Sequence, residues 1–153
     1  MREALDVRRR TDGDEAPSTI AYAFRVSKVL MGQREFQAAA DLLGAFEAPA
    51  RKVFAGAKAR NTANLLILLS KARLGASSEP SRCAQVEPAL REAYSILTAG
   101  SEGQPADQDT RTCMQAMVDL YTAWEQNEPG KGHAAQAQEW TSKLGQAAAP
   151  TAP

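Results

Sequence analysis

Three stretches of this chain space their apolar residues the way the buried stripe of an α-helix does, and they recur in order. Ser18 to Met31 carries Ala23, Val26 and Leu30, with Ser27 small between them. Asn61 to Leu74 carries Leu65, Leu68, Leu69 and Ala72, and Thr110 to Glu125 carries Met114, Met117, Val118 and Tyr121. Steps of three and four residues put such side chains on one helical face. Matched at Val26, Leu68 and Met117, the stretches stand 42 and 49 residues apart. The extra seven residues divide between the Ser/Pro stretch Ala76 to Arg82 and the loop Gly100 to Asp109. A second pair of segments shows the same spacing twice over. Arg2-Glu3-Ala4 and Arg91-Glu92-Ala93 lie 89 residues apart, and each is followed by an acidic, Gly-containing loop and a threonine, Thr19 or Thr110.

Each stretch is followed by a partner helix. Phe36 to about Val53 carries Phe36, Ala39, Leu42, Leu43 and Phe46; Cys83 to Leu97 carries Val86, Leu90, Ala93 and Leu97; His133 to Leu144 carries Ala137, Trp140 and Leu144. Gly and Pro in Gly32-Gln33-Arg34, in Gly75 to Arg82 and in Asn127 to Gly132 mark the turns between partners. The chain therefore reads as all-α. Residues 16–56, 60–99 and 108–145 form three helical hairpins, the last one capping. Residues 1–10 form the second helix of an incomplete repeat, and 146–153 a disordered tail.

Composition sharpens the reading. Leu, Ile, Val and Phe total 26 of 153 residues, whereas alanine alone accounts for 30. So few β-branched residues argue against a sandwich or barrel, and alanine favours helix because it loses no side-chain entropy there. Ala39, Ala93 and Ser27 fall where neighbouring helices would cross, and small residues permit that approach. Helices this short are marginal alone, so their stability is expected from stacking.

The organisation resembles tetratricopeptide repeats of the longer, roughly 42-residue subtype found in kinesin-light-chain-like arrays. Val86-Glu87-Pro88-Ala89-Leu90-Arg91-Glu92-Ala93 is similar to that unit's second helix, Val118-Asp119-Leu120-Tyr121 to the end of its first, and Phe36-Gln37-Ala38-Ala39 to the aromatic-then-alanine start of its second. Leu120 to Leu144 resembles the closing repeat of arrays on bacterial multidomain proteins, serine/threonine kinases among them. Gly75 and the stretch Glu125 to Gly132 depart from the short turns of the family. The resemblance implies antiparallel hairpins stacked as a right-handed solenoid, with the first helix of each pair lining a concave face. On that face it places Phe24, Lys28, Leu66, Ser70, Arg73, Gln115 and Asp119. It implies a protein or peptide partner and no cofactor. The Asn-and-Lys set with which chaperone-binding members grip a terminal carboxylate is not matched.

Catalytic chemistry finds little footing. His133 is the single histidine, so a two-His metal site cannot be assembled, and in a turn beside Gly130 and Gly132 it reads as a polar helix-start residue rather than the base of a Ser-His-Asp triad. Gly100 and Gly103 lie in an acidic stretch without the Gly-Lys-Ser/Thr of a phosphate loop. Asp12, Asp14 and Glu15 lack calcium-loop spacing, and Glu102 and Asp107 sit in a loop with nothing to desolvate them. Arg8-Arg9-Arg10 reads as a solvated helix end, favourable at the negative pole. Trp124 and Trp140 read as core of the closing hairpin. Eighteen basic and eighteen acidic residues cancel, which argues against a nucleic-acid partner. No transmembrane run and no secretory signal are present; Cys83 and Cys113 read as half-buried residues of a cytoplasmic protein.

The expected function is a non-catalytic scaffold that binds a protein or peptide segment in its groove, with Lys28 and Arg73 setting polarity. The alternative is the C-terminal regulatory segment of a larger signalling enzyme, such as a kinase, with an upstream domain as intramolecular partner. A small helical enzyme in its own right would need a polar pocket cluster that the sequence does not offer.

Overall fold

The computed structural model describes residues 2–100 and 105–148. Glu102, Gly103 and the tail beyond Ala148 lie outside them. Among the described residues the chain forms seven α-helices and no strand: α1 (Arg2–Thr11), α2 (Pro17–Gly32), α3 (Phe36–Val53), α4 (Ala59–Ala76), α5 (Pro80–Thr98), α6 (Gln108–Asn127) and α7 (His133–Ala148). Consecutive helices pack on one another, and α4 also packs on α6.

Local chemistry sets the boundaries. Pro17 and Pro80 open α2 and α5, where proline's missing N–H has no helical partner to lose. Asp107 caps α6 by accepting from the Thr110 backbone N–H at 2.9 Å. The turn after α2 closes with Glu35 N–H on the Leu30 carbonyl (2.9 Å) and Arg34 N–H on the Met31 carbonyl (3.0 Å). Arg34 takes the left-handed φ of 63° that this closure requires.

The core has two parts that share one helix. Leu5, Ile20, Ala23, Val26, Leu43, Phe46 and their neighbours from α1 to α3 gather around Leu65, Leu68, Leu69 and Ala72 of α4. Val86, Leu90, Leu97, Met117, Leu120 and Trp140 from α5 to α7 gather around Ala63, Leu66 and Ile67 on the other side of that helix. A helix apolar nearly all round belongs in the interior. The Leu/Ile run 65–69 thus serves both cores, which is how so few large apolar residues suffice. Ala39, Ala93 and Ser27 are fully buried, and the Ser27 hydroxyl donates to the Ala23 carbonyl at 2.9 Å.

Several expectations need correction. Buried positions repeat with a register one residue longer than the first spacing suggested. Thr19, Thr62 and Thr110 are each buried in a first turn, 43 and 48 residues apart, and Ser27 and Ser70 are buried at the same step of 43. Gly75 is helical rather than a turn residue, and only 77–79 separate α4 from α5, because the insertion lengthens the helices. Residues 146–148, read as tail, belong to α7. Cys83 and Cys113 are fully buried rather than half-buried.

The polar surface ties the layers together. Arg51 of α3 pairs with Glu92 of α5 as well as with Glu47 on its own helix. Lys52 reaches Glu15 at 2.6 Å, Arg9 reaches Asp14 at 2.8 Å, and Arg8 lies 3.8 Å from Asp12. The acidic 12–15 loop is therefore matched by basic residues, and the Arg8-Arg9-Arg10 end is engaged on its own chain.

Candidate functional site: a groove between α2 and α4

A cavity of about 460 Å³ opens between α2 and α4, beside Phe54 at the end of α3. Concave sites of this size suit a few side chains of a ligand. Ile20 and Leu65, both nearly buried, form its floor, and the half-buried Phe24 and Phe54 contribute aromatic surface. Arg25 and Lys28 from α2 and Asn61 and Asn64 from α4 supply the polar lining. Helical spacing explains the set, since positions 17, 20, 21, 24, 25 and 28 share one side of α2 and 61, 64 and 65 one side of α4.

The electrostatics of the lining are one-sided. Among the described residues no carboxylate lines the cavity. The Lys28 ammonium lies over the Phe24 ring, 4.9 Å from its centroid. Asn64 donates to Asp109 at 3.3 Å, beside an ion pair of Arg60 with Asp107 and Asp109. The Thr110 backbone N–H and hydroxyl, with the Arg60 guanidinium, hold the Asp107 carboxyl below its ordinary value. That cluster closes the space between the starts of α4 and α6.

The structure separates the seven residues expected on the concave face. Phe24 and Lys28 line the groove. Leu66 and Ser70 do not face outward: their relative exposures are 0% and 1%, and Leu66 sits in the core with α5 to α7. The reason is the one-residue register difference, because one residue turns a helix by about 100°. Arg73 is turned toward α3, 3.9 Å from Glu47, and is absent from the groove lining. Gln115 and Asp119 are exposed on α6 and bonded to each other at 2.9 Å, away from the cavity. Arg25, Asn61, Asn64 and Phe54 were missed. The two asparagines carried a usable signal, as amides three residues apart just ahead of the apolar run 65–69.

The other candidate residues are structural in their contacts. Trp140 is buried, with its ring meeting Tyr94 edge-on at 4.9 Å. Trp124 is half-buried and donates to Glu128 at 2.9 Å. His133 does more than start α7, since its ring stacks on Trp124 at 4.2 Å. Glu125 joins α6 to α7 by accepting from the Gly130 and Ala134 N–H groups at 2.8 and 3.0 Å. Between α5 and α6, Tyr121 donates to Glu87 at 2.6 Å and accepts from Arg91 at 2.8 Å. Burial, then Glu87, pushes the Tyr121 hydroxyl up to about 12, and burial pushes the Cys113 thiol up to about 12. Both groups are thereby kept neutral at ordinary pH. Among the described residues no group of three or more His, Cys, Asp or Glu side chains is placed to hold a metal ion. Nor is any helix long and apolar enough to cross a membrane.

Comparison of the chain with protein families, with curated proteins and with solved structures finds no match.

Proposed function

We propose that this chain is a non-catalytic helical-repeat scaffold of tetratricopeptide type, and that it binds a segment of a protein partner in the groove between α2 and α4. The right-handed solenoid implied by the resemblance belongs to the same reading. The observation that carries it is the groove itself: an open cavity between two first-of-pair helices, with an apolar floor and a few convergent polar groups. Binding would proceed by burial of an apolar side chain on Phe24, Phe54 and Leu65, with Lys28 orienting the segment.

The test is quantitative affinity capture with the wild-type chain, Phe24→Ala and Lys28→Glu, each checked for unchanged helicity by circular dichroism. Both positions lie outside the fully buried core, so both variants should fold. The reading expects both to lose the same captured protein. Arg73→Glu is not a useful companion, because it would place a second carboxylate beside Glu47 and disturb α3 against α4. Undiminished capture by both variants would sink the groove assignment.

A further inference from the structure

We propose that Thr11 is a phosphorylation site for a protein kinase that selects arginine ahead of its acceptor, and that the phosphate frees α1 from α2 and α3.

The sequence singles out the acceptor. Thr11 directly follows Arg8-Arg9-Arg10, and it alone among the chain's serines and threonines follows a run of basic residues. Kinases that read charge pair carboxylates of their peptide groove with arginines two and three residues before the acceptor, here Arg9 and Arg8. The structure makes this acceptor reachable. Thr11 is the last residue of α1 and is exposed. Ser27 and Thr62, each with an arginine two residues before it, are buried. Among residues 3–11 of α1 only Leu5 is buried, so this helix end can open at little cost into the extended form that a kinase takes.

The step is a phosphoryl transfer from a nucleoside triphosphate. Oγ1 of Thr11 bonds to the γ-phosphorus, and the bond from that phosphorus to the β–γ bridging oxygen breaks. The nucleoside diphosphate leaves, and the hydroxyl proton passes to the kinase's catalytic carboxylate.

The consequence follows from what Thr11 and the arginines touch. The Thr11 hydroxyl donates to the Val7 carbonyl at 3.1 Å, at the negative pole of α1. Phosphorylation removes that donor and sets about two negative charges against the last carbonyls of the helix, next to Asp12. Arg8 and Arg9 are also side chains by which α1 lies on its neighbours. The Arg8 guanidinium is 5.2 Å from the centre of the Tyr22 ring of α2. That of Arg9 is 5.4 Å from the centre of the Phe46 ring of α3, and it donates twice to Asp14, at 2.8 Å each. A phosphate within one turn competes for both guanidinium groups. α1 thus loses its final turn and these side-chain ties together, and Leu5 remains as its buried anchor.

The test incubates the full chain with MgATP and the catalytic subunit of cyclic-AMP-dependent protein kinase, which has this arginine preference, and maps phosphate by mass spectrometry. The expected result is phosphate on Thr11. The initial rate should fall about tenfold or more in Arg8→Gln/Arg9→Gln. It should change little in Arg10→Gln, whose arginine donates to the Asp6 carbonyl of its own helix. Loosening α1 in the double variant would only expose Thr11 further, so a lower rate reports recognition rather than folding. Hydrogen–deuterium exchange of the phosphorylated chain should show the α1 amides exchanging about tenfold faster or more, with α5 to α7 unchanged and Thr11→Ala treated alike as the control.

No phosphate on Thr11 of the folded wild-type chain would overturn the proposal, as would an undiminished rate in Arg8→Gln/Arg9→Gln. Phosphate on Thr11 with α1 exchange unchanged or slower would overturn the release of α1 and leave the site standing.

Discussion

Gly75 offers the most direct check on how α3 and α4 meet. A Cβ built there would lie 2.5 Å from Cδ1 of Phe36, 2.7 Å from its Cγ and 2.9 Å from its Cε1. Carbon atoms in contact stay about 3.5–4.0 Å apart, so the overlap is about 1 Å. Two effects oppose each other in Gly75→Ala. Alanine is favoured over glycine within a helix by about 1 kcal/mol. Overpacking of this kind costs about 1–3 kcal/mol when the neighbour cannot move freely. Here the overlap reaches the root of the ring at Cγ, so Phe36 must swing about χ1 or α3 must shift. The packing cost should win, with a net loss of about 1 kcal/mol and a fall in Tm of about 2–4 °C. The assay is thermal and urea unfolding followed by circular dichroism, with Phe36→Ala and the double variant completing a cycle. On the Phe36→Ala background, Gly75→Ala should become stabilising by about 1 kcal/mol. If Gly75→Ala raises stability on both backgrounds, the ring does not lie over that helix and the reasoning fails.

The remaining predictions concern the core, one turn and pH. Leu66→Ala should cost about 2–5 kcal/mol in urea unfolding, as a core truncation does, and a change below about 0.5 kcal/mol would mean Leu66 faces solvent after all. Ser70→Ala should be neutral or stabilising by about 1 kcal/mol, because the buried Ser70 hydroxyl has no hydrogen-bond partner among the described residues; clear destabilisation would reveal a partner. Arg34→Gly should raise stability by up to about 1 kcal/mol, since Arg34 holds a left-handed φ of 63° that glycine adopts freely; a lower urea midpoint would contradict the turn geometry. Acidification should destabilise the fold. Arg51 holds the Glu92 carboxyl below its ordinary value, and Arg9 does the same for Asp14. A depressed folded-state pKa means the unfolded chain binds more protons, so this stability is present above about pH 4.5 and is lost as pH falls through the folded-state values. Glu92→Gln should therefore flatten the loss of urea midpoint between about pH 5 and about pH 3; an unchanged slope would exclude the Arg51–Glu92 pair as a contributor.

Much of this fold was legible in the sequence because helices announce themselves through short-range spacing. The α3 boundaries Phe36 and Val53 were read from apolar periodicity and turn residues alone. Register between repeats is a different kind of information. Matching Val26 to Leu68 seemed equivalent to matching it to Leu69, since both are leucines in one apolar run. The buried threonines Thr19, Thr62 and Thr110 decide between them, but only burial shows that they are counterparts. That single residue moved Leu66 and Ser70 from an expected surface into the core. Phe24 and Lys28 escaped the error because they lie on α2, where the register was anchored. Arg73 was misplaced because its Glu47 partner comes from another helix. Arg25, Asn61 and Asn64 were missed because only the approach of α2 to α4 makes them neighbours.

The central claim is that the α2–α4 groove is where this chain meets its partner. Hydrogen–deuterium exchange, with and without the protein that the wild-type chain captures, tests it most directly. The account predicts added protection in 17–28 and 54–65, with α6 and α7 unchanged. Protection confined to α6 and α7, or spread evenly over the chain, would contradict it.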